Sequence, residues 1–103
     1  MPFGLKHTTT GTLLACVQRN GYKLAYYGLL LWEHPPELLE VSEALAEAGI
    51  APGDEAGEVG DWEAQELSEH EAKIANVKLR NDPRRVVYYR DGVIAAAESV
   101  NKQ

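Results

Sequence analysis

His70 stands in the run EHEAK, with Glu69 and Glu71 beside it and Glu66 four residues before it. Residues four apart share one side of a helix, so Glu66 and His70 are two candidate donors for a metal ion. A metal centre needs more ligands than that, and an outer shell to orient them. The pentapeptide HEAKI at 70–74 opens like the zinc-protease helix motif, but the fifth position of that motif is a second His and here it is Ile74. No metal site is therefore expected. His70 reads instead as part of a helical stripe. His34, before Pro35, reads as a strand-to-helix corner, and His7 as one residue of a threonine-rich segment.

The single cysteine, Cys16, leaves no internal disulfide to form and reads as a small buried hydrophobe. Neither a nucleophile elbow, nor a phosphate-binding loop, nor a dinucleotide fingerprint occurs in the sequence. Carboxylates are abundant, yet nothing in their spacing sets two apart as an acid and a base. The expectation is a non-enzymatic protein with no catalytic residues and no cofactor.

The charge pattern is more informative. Between Glu33 and Glu71 lie 13 Asp and Glu residues and not one Lys or Arg, whereas residues 1–32 and 72–103 are both net basic. Glu37, Glu40, Glu43 and Glu47 recur at helical spacing. Like charges three and four apart repel by a few tenths of a kcal/mol per pair, and exposed helices ordinarily relieve this with interspersed lysines. An unrelieved acidic surface steers cationic partners toward it. Glu37, Glu40, Glu43, Glu47, Glu63 and Glu66 are thus the expected contacts for a basic protein partner, and a nucleic-acid-binding protein fits that description. An inhibitor or a nucleic-acid mimic is the sharper form of this expectation. The plainer reading is an acidic face that only keeps a small protein dissolved.

The competing site is KLRNDPRRVVYYR, from Lys78 to Arg90, where basic residues interleave with aromatics. That composition suits phosphate contacts and base stacking on single strands. The net charge of −6 and the isoelectric point near 5.0 oppose direct nucleic-acid binding.

These groups need a scaffold, and 103 residues predict one domain spanning 1–103. No secretory signal opens the chain, and its purely apolar runs, 29–32 among them, are too short to span a membrane, so a cytoplasmic protein is expected. Asn20-Gly21 and Asp91-Gly92 each predict a two-residue hairpin turn. The first turn would pair Val17 with Leu24 and Ala15 with Tyr26; the second would pair Tyr89 with Ile94 and Arg85 with Glu98, the last as an ion pair.

Between the hairpins, HPPELLEVSEALAEAGI has Leu38, Val41, Leu45 and Ala48 at helical spacing, with a proline in the first turn and Gly49 ending the helix. After a loop at 50–60, a second helix is predicted from about Asp61 into the late seventies, capped by Asp61 or by Ser68, with Leu67, His70, Ile74 and Val77 inward. Residues 75–80 also read as a strand. The predicted fold is α+β, two antiparallel β-hairpins forming one four-stranded sheet around two helices, in the order ββααββ.

Neighbouring residues on a strand point to opposite faces. Tyr26 and Tyr89 are accordingly placed in the core, and Tyr27 with Leu29 and Leu31 on the other face, as an aromatic-centred patch for a partner or a homodimer. A self-associating assembly subunit is the remaining alternative.

Overall fold

The computed structural model describes residues 1–19, 21–50 and 58–98. Seven strands and two α-helices follow one another as β1 (Phe3–His7), β2 (Thr12–Leu13), β3 (Ala15–Arg19), β4 (Ala25–Leu29), α1 (Leu38–Glu47), β5 (Trp62–Glu66), α2 (Glu69–Leu79), β6 (Arg85–Arg90) and β7 (Val93–Glu98). A 3-10 turn at Val59–Asp61 leads into β5. The fold is α+β, but not in the ββααββ order.

The main sheet has five antiparallel strands in the order β5-β1-β2-β6-β7, and β3 and β4 form a separate two-stranded ribbon. The expected four-stranded sheet missed β1 and β5, which pair from Phe3 opposite Glu66 to His7 opposite Trp62. The segment 62–66 is strand rather than the start of a helix because its inward residue, Trp62, is buried beside Leu5 on one sheet face. Its neighbours Glu63 and Ala64 are exposed.

Leu14 is the point where the chain changes partners. Its N–H donates to the Leu5 carbonyl of β1, and its own carbonyl accepts from Leu30 just past β4. One extended segment thus belongs to the sheet before Leu14 and to the ribbon after it.

Each helix covers a different face of the sheet. Leu13 lies opposite Lys6 and Val87, while Leu5 and Leu14 point the other way by strand alternation. On the first face Leu13 and Val87 pack with Leu29, Leu67 and the Ala72, Ala75 and Leu79 stripe of α2. On the second, Leu5, Leu14 and Trp62 pack with Val41, Ala44 and Leu45 of α1.

The predicted stripes shift by a residue or two. In α1 Val41 and Leu45 are buried as expected, but Leu38 is exposed. In α2 the alanines rather than His70 and Val77 face inward, because small side chains let the helix approach the sheet; His70 and Val77 are exposed. Residues 75–79 continue that helix.

The helix ends follow the sequence closely. Gly49 has φ +80°, its N–H donates to Ala46, and the Ile50 N–H donates to Leu45, closing α1 with a left-handed residue that glycine adopts without strain. The helix begins one residue after Glu37, so the prolines precede it and do not fill its first turn. Ser68, not Asp61, caps α2: its Oγ accepts from the Glu71 N–H, and a Glu71 carboxylate oxygen accepts from the Ser68 N–H, both at 2.9 Å.

The C-terminal hairpin has the predicted register, with Tyr89 opposite Ile94 and left-handed backbone at Asp91 and Gly92. Arg85 lies opposite Glu98, whose side chain falls outside the described residues, as do Asn20 and most of the 50–60 loop. The first hairpin differs. Arg19 pairs with Ala25 and Val17 with Tyr27, which leaves five residues in the turn instead of two, with Lys23 at φ +64°. Shifting the register by an odd number of residues exchanges the faces of the second strand. Tyr27 therefore packs against the α2 cluster and Tyr26 is 38% exposed, the reverse of the expected assignment. Tyr89 packs against the α2 cluster, as expected.

Candidate partner-binding surface

The α1 helix presents its acidic side outward because Val41, Ala44 and Leu45 commit the opposite side to the sheet. Glu37, Leu38, Leu39, Glu43 and Glu47 are all exposed, and the two leucines are 74% and 70% accessible. The two uncovered leucines thus open a helix whose later turns expose carboxylates. Glu40 is partly engaged, since its Oε1 accepts from the Glu37 N–H at 2.9 Å.

Beside this face runs an open groove of about 610 Å³. Leu30 and Trp32 form its apolar floor, and Glu40, Glu43 and Glu47 line its helical wall. Trp32 is held by a two-way backbone bridge to Phe3. The charge of Glu47 reaches as far as buried Cys16, whose thiol is pushed above its ordinary range first by burial and then by that carboxylate. Among the described residues, Glu43 and Glu47 make no ion pair. A carboxylate rim over an aromatic floor suits a long basic side chain, with the alkyl stem on Trp32 and the cationic head at the rim.

Glu63 and Glu66 do not converge with the α1 glutamates into one array. Glu63 pairs with Lys6 at 3.4 Å on the α2 side of the sheet. Glu66 is exposed at the far end of β5, opposite Phe3.

Nor do the residues of the expected aromatic patch lie together on a surface. Leu29 is only 4% exposed and belongs to the α2 cluster. Tyr27 is half-buried, and its hydroxyl donates to the Arg85 carbonyl at 3.1 Å. Of the three, Leu31 alone is exposed, beside Lys73 and Val77 of α2.

The arginines of the competing site make contacts within the chain, although Arg84 and Arg90 stay exposed. Arg84 chelates Asp82, Arg85 donates to the Lys78 carbonyl, and Arg90 donates to the Thr10 carbonyl while stacking 4.3 Å from the Tyr88 ring. His70 lies exposed on α2. Among the described residues, no three His, Cys, Asp or Glu side chains gather as metal ligands, and no helix is long and apolar enough to cross a membrane.

The exposed Leu38 and Leu39 escaped the sequence reading, which assigned Leu38 to the core. Their adjacency in ELLE was the available sign, since two consecutive leucines cannot both sit at the centre of a helix's buried stripe. Comparison with protein-family models, curated proteins and solved structures finds no match to this chain.

Proposed function

We propose that this protein is a non-enzymatic binding module that presents α1 and the adjoining groove to a basic protein partner. The observation that carries the reading is that Leu38 and Leu39 lie uncovered in the first turn of the helix whose exposed Glu43 and Glu47 line the adjoining groove. Solvation alone accounts for the carboxylates but not for two neighbouring leucines left in water. Apolar anchors within a charged rim are a common composition for an interface, in which the anchors supply most of the affinity and the charges set the encounter rate.

The test is capture from host lysate by immobilised protein at low and high salt, with mass spectrometry of the eluates. Wild type is expected to retain basic proteins that high salt releases. Glu43→Lys with Glu47→Lys, and separately Leu38→Ser with Leu39→Ser, should each abolish that capture while circular dichroism stays unchanged. Added duplex DNA should displace the captured proteins if the surface imitates a phosphate row. Capture that survives both double substitutions overturns the assignment to α1, and capture of nucleic acid itself overturns the choice of partner.

A further inference from the structure

A second hollow lies on the α1 side of the sheet, between the β1–β2 turn and the end of α1, and it is separate from the acidic groove. Its volume is about 610 Å³, within the range of sites that hold small molecules. Leu14, Ile50, Trp62 and Val86 give it an apolar base, and the hydroxyls of Thr10 and Thr12, the His7 ring and Asp61 bring polar groups to its wall. We propose that this hollow binds a small molecule with a cationic head on an aromatic body, of the arylalkylamine kind.

Three independent features point to that chemistry. The first is His7, which is only 7% exposed. Its Nδ1 lies 3.4 Å from Thr10 Oγ1, which in turn lies 2.7 Å from Thr12 Oγ1, but its buried Nε2 has no hydrogen-bond partner among the described residues. A buried ring nitrogen without a partner is rare and costly, and a bound polar group reaching this wall removes the cost.

The second is the sign of the charge. Among the described residues Asp61 is the one carboxylate of the wall, no Lys or Arg lines it, and the Asp61 side chain has neither an ion pair nor a hydrogen bond. An anionic ligand is repelled there and an ammonium attracted. The third is the aromatic lining. Trp62 is fixed edge-on against His7 at a centroid distance of 5.1 Å. These rings offer a flat body stacking contact and a cation the face of a π system.

Tryptamine is the probe, with indole-3-propionate as the ring of opposite charge and 3-methylindole as the neutral body. Isothermal titration and the indole N–H resonances of the labelled full chain report binding. Tryptamine should bind at least about tenfold more tightly than the propionate, a ratio that one favourable charge contact supplies. Binding should move the Trp62 and His7 resonances and leave Trp32 in place. Asp61→Asn should erase the preference for the amine while 3-methylindole still binds, and Val86→Trp, which fills the hollow, should eliminate all three. Each variant is checked for an unchanged fold by its amide spectrum. The proposal is overturned by equal affinity for amine and acid, by a shift at Trp32 in place of Trp62, by binding that Val86→Trp leaves intact, or by no saturable binding of any probe.

Discussion

The Asn76 side-chain oxygen accepts a hydrogen bond from the backbone N–H of Leu29 at 2.9 Å, joining α2 to the free edge of β4. Asn81 does the same two residues earlier along the strand, accepting from Tyr27 N–H at 2.6 Å. The ribbon has only two strands, so these amides would otherwise face outward as a template for another strand. Two asparagines on and just after one helix occupy that edge.

Removing the first acceptor leaves the buried Leu29 amide unpaired. Asn76→Ala is expected to cost about 1–3 kcal/mol, and Asn76→Asp, which retains an acceptor, much less. Gly28 is coupled to the same contact, because a Cβ there would stand 3.0 Å from Asn76 Oδ1 and 3.2 Å from the Tyr26 ring. Gly28→Ala should therefore destabilise wild type more than it does the Asn76→Ala background. Urea unfolding of the four proteins gives the interaction energy, and strict additivity would refute the coupling.

Tyr27 supplies a prediction in pH. Burial raises its hydroxyl pKa above the ordinary value, and the nearby Cys16 and Asp82 raise it further. A raised folded-state pKa holds the proton more firmly in the folded chain. The associated stability is complete below about pH 10 and is lost as pH climbs through the folded value. Tyr27→Phe should cost about 0.5–1.5 kcal/mol at neutral pH through loss of its bond to Arg85. The variant should also lose less stability than wild type between pH 9 and 11, a range chosen around the ordinary tyrosine value of about 10. Parallel urea midpoints across that range would contradict the assignment.

Glu71 links two elements through its two oxygens. One accepts from the Ser68 N–H at the start of α2, and the other accepts from the Tyr89 hydroxyl of β6 at 3.3 Å. Ser68→Ala should cost about 1 kcal/mol as the loss of a helix cap. Glu71→Ala combined with Tyr89→Phe should show a coupling of about 0.5–1 kcal/mol in a double-mutant cycle. A coupling of zero by thermal unfolding would mean that the tyrosine contact contributes nothing in solution.

The sequence showed most clearly what is settled by residues close together in the chain. Gly49 after α1, the Ser68–Glu71 box and the Asp91-Gly92 turn each act over six residues or fewer, and all three are found where expected. The first hairpin was misread because its local turn preference is overruled from a distance. Leu29 and Tyr27 are placed by α2, and the turn lengthens to five residues to bring them there. FGLKH and WEAQE form strands only by finding each other, so neither shows a pattern strong enough by itself. The acidic face of α1 was visible as a count of charges, but the hollow around His7 was not. Its walls come from all of β1 to β6 and the segment just past α1, and no spacing rule joins residues so far apart.

The position of β1 has a consequence for how the chain is made. β1 lies second in the sheet order, and one of its two neighbours is β5, which is synthesised much later. β2 likewise waits for β6, from the last quarter of the chain. Synthesis runs N-terminal first, and pairings this distant in sequence are slow to close. Before β5 is made, one edge of Phe3–His7 can bond to the segment that follows it, as Lys6 does with Leu13, and the edge that β5 covers stays open. The nascent chain therefore carries an unpaired strand edge until β5 emerges, and delay at that stage exposes it to neighbouring copies on the same messenger.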